Sequence, residues 1–337
     1  MSVRNLILLI CLLFARHVQA ACYLDPDFAP NQTLVLPAIT LKIDADAAAD
    51  MSVPFYTAET AKVGNKISWI NCDKGFKVGR GVYNLTDPDS TNNTYATDVP
   101  GIRVRPVFSN GAGEGYFPKE QVAPCGDPDY IAGKCRITVP PQVYFKVEFY
   151  KSSKKLALSD KSGDNVLSAG DMLYYWIEFD TPANHTLKVK IGDVKIISTP
   201  VCKVSDTLSI DYGLVTSRTL TAEGIEKPLD FYINCKTDYG TYSASANINT
   251  DTPSANSKYI KVQDASSSSD TLGIKIQDSK GKDLLLNNKD SFEVQSNTDS
   301  ESKAEFKWKA ILFPVTPGVR PVSGNFKAQA QITFTIN

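Results

Sequence analysis

The sequence predicts an all-β protein built as two tandem β-sandwiches, and three observations carry that expectation. Apolar residues recur with period two, the mark of strands that bury one face: Val143, Phe145, Val147 and Phe149 alternate with Tyr144, Lys146 and Glu148. Turn clusters such as Asp87-Pro88-Asp89-Ser90, Ser109-Asn110-Gly111 and Asp278-Ser279-Lys280-Gly281 punctuate these runs, as expected of many short strands. The length of 337 residues, at roughly 150 residues per domain, favours two cores over one. No sustained helical period, coiled-coil heptad or solenoid repeat competes with the strand pattern.

The chain opens on an address. Arg4, the apolar run Leu6 to Ala15 and then Val18-Gln19-Ala20 match the charged, hydrophobic and small-residue regions of a secretory signal peptide, with cleavage after Ala20. Ten apolar residues do not span a bilayer, and no later stretch approaches the roughly 18 that would, so no membrane insertion is expected. Cys11 leaves with the signal, and six cysteines remain: Cys22, Cys72, Cys125, Cys135, Cys202 and Cys235. An even set in an exported protein points to three disulfides. Six cysteines allow 15 connectivities, and their grouping favours 22 with 72, 125 with 135 and 202 with 235. The alternative of a lipid on Cys22 is opposed by Gln19-Ala20-Ala21, which lacks the upstream aliphatic residue, and by the odd thiol count it would leave.

Further strands follow in order. Leu187, Val189 and Ile191 flank Lys188 and Lys190, and Phe306, Trp308 and Ala310 flank Lys307 and Lys309. Between these runs Ile197-Ser198-Thr199-Pro200 is the best boundary, giving a signal at 1–20, a first domain at 21–197 and a second at 198–337. The last fourteen residues, Gly324 to Asn337, place Phe326, Ala328, Ala330, Ile332, Phe334 and Ile336 on one face in unbroken alternation.

Charge and histidine count exclude several functions. Lys plus Arg is 36 against 37 Asp plus Glu, which offers no cationic field for a nucleic acid. Cleavage removes Arg4 and Arg16 and no acid, leaving 34 cations, 37 anions and a net charge of −3. His185 is the one histidine left; it follows Thr181-Pro182-Ala183-Asn184, which reads as a hairpin turn. Neither Cys/His nor Ser/His/Asp catalysis is favoured on this inventory, a three-histidine zinc site cannot form, and no metal or cofactor is expected. Asp87, Asp89 and Thr91 lack the Gly and distal Glu of a calcium loop. Gly111-Ala112-Gly113-Glu114-Gly115 lacks the Lys and helix of a phosphate loop and reads as a flexible connection. Four Asn-x-Thr sequons, at Asn31, Asn84, Asn92 and Asn184, would matter only in a eukaryotic secretory route. Paired-carboxylate glycoside hydrolysis needs no histidine, which leaves a secreted glycan-active enzyme as a weak alternative to a non-enzyme.

Five segments carry the most specific information. They are Pro200-Val201-Cys202-Lys203-Val204; Leu208-Ser209-Ile210-Asp211-Tyr212-Gly213; Phe231-Tyr232-Ile233-Asn234-Cys235; Leu272-Gly273-Ile274-Lys275-Ile276 with Asp278 and Gly281; and the terminal alternation from Gly324. In this order they resemble the pilin domain of chaperone/usher fimbriae over about residues 199–337, with Ile336 standing where that family usually has Tyr. The resemblance implies an incomplete immunoglobulin-like sandwich that lacks its final strand and is completed by donor-strand addition. It also implies partners: a periplasmic pilus chaperone that lends a strand, an outer-membrane usher, and a next pilus subunit that replaces the chaperone. Phe326, Ala328, Ala330, Ile332, Phe334 and Ile336 would then face the lent strand, and the Asn337 carboxylate would meet basic chaperone residues.

A shaft subunit of that family begins with a donor strand, whereas here Cys22 lies about 180 residues ahead of Cys202. The resemblance therefore implies a tip adhesin at the fimbrial tip on the cell surface, with a minor tip or adaptor subunit that binds protein as the alternative. Thr97-Asp98-Val99-Pro100-Gly101-Ile102-Arg103-Val104-Arg105 is similar to a run in the adhesin domains of such proteins, with departures at Asp98 and Arg103, and reads as a core strand. A host glycan or glycoprotein receptor needs carboxylates and amides for sugar hydroxyls and a ring for the apolar sugar face. Two loops offer that mix: Tyr83, Asn84, Asp87, Asp89, Asn92, Asn93 and Tyr95 in one, and Tyr116 with Asp127, Asp129 and Tyr130 in the other. Ordinary solvated turns would use the same residue types.

Overall fold

The computed structural model describes residues 22–125, 133–216, 218–265, 271–316, 318–319 and 321–337. They form strands throughout, with one 3₁₀ turn at Pro182–Asn184. The chain divides into two compact units: residues up to Ile43 with 47–156 and 160–197, and residues 198–337 with 44–46 and 157–159.

In the first unit a five-stranded sheet runs in the order Lys119–Val122, Lys77–Val82, Gly170–Ile177, His185–Ile191 and Gln32–Leu36. Its last pair is parallel and the others antiparallel. A second sheet orders Tyr56–Glu59, Tyr144–Lys151, Ile102–Ser109 and Tyr95–Ala96, with Glu114–Tyr116 folded back as a hairpin on Ile102–Ser109. Two three-stranded sheets complete the unit: Tyr23–Leu24, Ile67–Cys72, Cys135–Val139, and Asp164–Leu167, Val194–Thr199, Ile39–Asp44. The two larger sheets face each other through aromatic rings. Phe108 meets its cross-strand neighbour Phe145 edge-on at 5.6 Å and stacks on Tyr175 of the opposite sheet at 5.5 Å. Period two does the burying: Phe145, Val147 and Phe149 are fully enclosed.

Three local expectations change. Tyr144–Lys151 is not half-buried along its whole length, because Glu148, Tyr150 and Lys151 are enclosed as well. On that outer face Arg105 Nε donates to Glu148 at 2.7 Å, the Tyr150 hydroxyl donates to the same carboxylate at 2.9 Å, and the Arg105 guanidinium covers the Tyr150 ring at 4.6 Å. The Gly111–Gly115 run is not a connection throughout, since Glu114 and Gly115 belong to the hairpin strand. His185 does not lie in the turn; it begins the strand that follows and is 6% exposed.

The second unit is a two-sheet sandwich. Five strands order as Val201–Val204, Ile225–Lys236, Lys303–Pro314, Leu272–Gln277 and Ile260–Val262, and three as Glu293–Asp299, Thr241–Asn249 and Gln331–Ile336. Lys303–Pro314 follows its alternation closely, burying Ala304, Phe306, Trp308, Ala310 and Leu312. Phe231 stacks on Phe306 at 5.1 Å and meets Trp308 edge-on at 4.8 Å. The buried Trp308 indole donates to Glu293 at 2.6 Å, and Glu293 also accepts the Ser279 hydroxyl and backbone N–H. A buried carboxylate is tolerable there because its lone pairs are filled.

Cystines join Cys22 to Cys72, Cys125 to Cys135 and Cys202 to Cys235. Cys72 and Cys135 are themselves cross-strand neighbours, as are Cys202 and Cys235. Loop closure of this length contributes on the order of 3 to 4 kcal/mol per bridge in the chain-entropy model.

Candidate functional site

The second unit carries an open strand edge. Gln331–Ile336 pairs on one side with Thr241–Asn249, from Ala244 opposite Ile336 to Asn249 opposite Gln331, and no strand among the described residues pairs with its other side. Asn337 continues the ladder, exchanging backbone hydrogen bonds of 3.0 Å with Ser243. Ile332, Phe334 and Ile336 are half-buried while Gln331, Thr333 and Thr335 are exposed.

The strand is shorter than the unbroken alternation implies. Its partner ends at Asn249; beyond that point Thr250 Oγ1 donates to the Gln329 carbonyl at 2.7 Å, and Lys327 bridges to Gln263 instead. Phe326 and Ala328 stay half-buried, whereas Ala330 is exposed.

Beside this edge lies a groove of about 740 Å³. Leu229, Phe231, Ile274 and Ile276 line it, as do Phe326, Ala328, Ala330, Ile332 and Phe334 of the terminal segment; Ile336 packs on the core without lining the groove. The opposite lip is the stretch after Val204. Ser205 makes one further backbone bond to Tyr232, at 3.1 Å, and the chain then runs past Leu208 and Ile210 without entering a sheet. An unpaired edge above an apolar groove is the arrangement that accepts a strand: backbone bonds form at the edge while alternate side chains fill the groove.

The first candidate loop of the other unit is wired to itself. Asp89 accepts the Thr91 N–H at 2.9 Å and the Asn92 amide at 2.8 Å, and these bonds, the Asn92 side chain foremost, hold its carboxyl below the usual range. Arg103 closes the loop, donating to Thr94 Oγ1 at 2.8 Å, to the Asp87 carboxylate at 3.1 Å and to the Asp87 carbonyl at 2.6 Å. Asp87 and Asn93 both hold positive φ, the conformation Asp and Asn tolerate in turns. Asn84 is exposed, Asn92 and Asn93 are half-buried, and Tyr95 is 3% exposed with its ring in the core. Tyr95 is therefore out of reach of a receptor: it lies opposite Val104 on the inner face of its sheet.

Tyr83 sits apart from that loop, on the outer face of the five-stranded sheet. Its hydroxyl and His185 Nδ1 share a hydrogen bond of 2.9 Å, and Tyr174 stacks on the His185 ring at 4.0 Å. Asp180 completes the cluster, 3.2 Å from both His185 Nε2 and the Tyr174 hydroxyl. Burial, with Asp180 adding its charge, pushes the Tyr174 hydroxyl up to about 12. The Leu187, Val189, Ile191 alternation gave no signal for this cluster, because a register shift between Tyr175 and Trp176 sets His185 opposite Trp176, on the face away from Leu187. Tyr116 is 43% exposed beneath the Arg105 guanidinium, 5.3 Å from its ring. Asp127, Asp129 and Tyr130 lie outside the described residues.

No curated protein sequence matches the chain. Among solved structures it is similar to the CupB6 tip adhesin from Pseudomonas aeruginosa, at 11% identity over 93% of this chain and 94% of that one with a TM-score of 0.38. It is also similar to the receptor binding domain of adhesin MrkD1P of Klebsiella pneumoniae, at 14% identity over 56% and 99% with a TM-score of 0.34. A third is the CsuC-CsuE chaperone-tip adhesion subunit complex of Acinetobacter baumannii, at 9% identity over 91% and 99% with a TM-score of 0.38. A family model described as Fimbrial protein matches residues 192–337, the part of the chain that carries the open edge and groove.

Proposed function

We propose that this protein is the tip adhesin of a chaperone/usher pilus: the N-terminal sandwich binds a host glycan receptor, and the fimbrial domain anchors it by accepting a donated strand. The observation that carries the reading is the groove of about 740 Å³ beside the unpaired edge of Gln331–Ile336. Its apolar walls are costly in water, at about 25 cal/mol per Å² of apolar surface left exposed. A periplasmic chaperone lends the covering strand first, and the next subunit supplies its own at the outer-membrane usher.

What precedes the fimbrial domain supports the place at the tip. Val194–Thr199, the strand immediately ahead of Val201–Val204, is the middle strand of a three-stranded sheet. Among the described residues that segment is paired on both sides, which favours a domain that accepts a strand over one that donates one.

Co-expression of the full chain with a pilus chaperone tests the anchoring. The chain should co-purify with the chaperone, and deletion of residues 324–337 should abolish this. Soluble, chaperone-free protein recovered in undiminished yield after the deletion would overturn the reading.

A further inference from the structure

The N-terminal unit carries a half-open cavity of about 400 Å³, which none of the described loop candidates lines. Arg80 and Tyr175 stand in it directly opposite each other on antiparallel neighbours, so their side chains rise from one face of the sheet. The Arg80 guanidinium lies over the Phe108 ring at 4.9 Å and reaches the Phe117 ring at 5.8 Å, and Phe108 stacks on Tyr175.

Arg80 differs from the other arginines of this unit. Arg103 pairs with Asp87, Arg105 with Glu148 and Arg136 with Asp25, whereas Arg80 has neither a carboxylate nor a hydrogen-bond acceptor among the described residues. A half-buried guanidinium without a counter-ion is costly to keep, and its burial holds its pKa below the usual value. Stacking on an aromatic ring leaves the planar N–H fork free, in the geometry that takes a carboxylate through two parallel bonds.

The surroundings favour an anion. Lys119 adds a second cation to the lining, and Glu114 is already paired with Lys146. Burial pushes the Tyr175 hydroxyl up to about 12, so at neutral pH it is an uncharged group able to donate. Asn110 and Gln121 also line it; the Asn110 Oδ1 already accepts the Ala112 and Gly113 N–H groups at 2.9 and 2.7 Å, which leaves its NH2 to donate. The volume falls in the roughly 300–1,000 Å³ range of small-ligand sites. Gly115 is part of the construction, since a Cβ there would come within 2.2 Å of an Arg80 guanidinium nitrogen.

We propose that this cavity binds the carboxylate of an acidic sugar, a sialic acid or a uronate, on the Arg80 fork, with aromatic walls against the ring and the Asn110 and Gln121 amides on its hydroxyls. The proposal rests on the adhesin reading above and names the ligand class of its receptor domain.

The test measures binding of the full chain to 3′-sialyllactose, to a glucuronate-terminated oligosaccharide, to their carboxyl-reduced forms and to lactose. An acidic sugar should bind, its carboxyl-reduced form should bind at least tenfold more weakly, and added salt should weaken the acidic ligand alone. Arg80→Gln should reduce binding at least tenfold. Gly115→Ala, which keeps the arginine but displaces it, should also reduce binding while the melting temperature stays near that of the unaltered chain. Binding of lactose equal to that of the acidic sugars, or a folded Arg80→Gln protein that binds as before, overturns the acidic-sugar proposal and leaves the adhesin reading standing. Binding of an acidic peptide such as poly-glutamate in place of every sugar also overturns it. Failure to bind any glycan, together with failure of piliated cells to adhere to host cells, overturns both.

Discussion

Arg103 sets the shape of the 84–95 loop through bonds that residue types alone do not reveal. Asp87, Asp89, Asn92 and Asn93 have the composition of a sugar-binding loop, but Asp87 and Thr94 are held by an arginine 16 and 9 residues further along the chain. Residue composition was readable; the partner that occupies it was not. Arg103→Ala should cost on the order of 1–3 kcal/mol, the range for charged hydrogen bonds lost from a partly buried site, read as a lower urea midpoint for the N-terminal unit. The Asp89 carboxyl is held below the ordinary value of 3.8 by Asn92 and Thr91. A depressed carboxylate stabilises the fold above its unfolded pKa and loses that contribution as pH falls through the lower folded value. The loop should therefore stay ordered down to about pH 4 and loosen below it, and an NMR titration that places Asp89 at or above 3.8 would contradict this. Tyr95 makes the opposite case: its buried hydroxyl has no partner among the described residues, so Tyr95→Phe should leave stability within about 0.5 kcal/mol and receptor binding unchanged.

At the level of elements, the local period was the readable part and the point where it stops was not. The alternation from Phe326 to Ile336 is a property of the residues themselves. The strand begins only at Gln331 because Thr241–Asn249 ends at Asn249 and Thr250 takes the Gln329 carbonyl, a limit set by a distant segment. The same holds for Tyr144–Lys151, where Arg105 encloses a face that its own polar residues mark as open. Phe334 is where the strand meets the core, 5.8 Å from Phe231 and 5.9 Å from Phe306, and its ring also lines the groove. Phe334→Ala should cost more in the chaperone complex than in the free chain, because a donated strand finishes burying that ring. The expected reading is at least a tenfold fall in chaperone-bound yield while the free protein remains folded, and an unchanged yield would contradict it.

Across the whole molecule, the disulfides could be read because they follow chain order. Each bridge joins cysteines that are consecutive from Cys22 onward and lies within one unit. Removing Cys202 and Cys235 together by serine substitution should lower the stability of the C-terminal unit by about 3–4 kcal/mol on the chain-entropy estimate, measured by urea unfolding. The Arg80 cavity left no sequence signal, because the four arginines of the N-terminal unit look alike until their partners are placed. The groove is the feature in which both readings meet: alternation supplies one wall, and the unpaired edge of Gln331–Ile336 leaves the opening. The most direct measurement is amide hydrogen exchange on the full chain, free and bound to a pilus chaperone. Strand acceptance requires new protection at residues 331–336 and along 205–212, with none gained at Glu293–Asp299, the other edge of the same sheet. Protection at Glu293–Asp299 instead, or at neither edge, would contradict it.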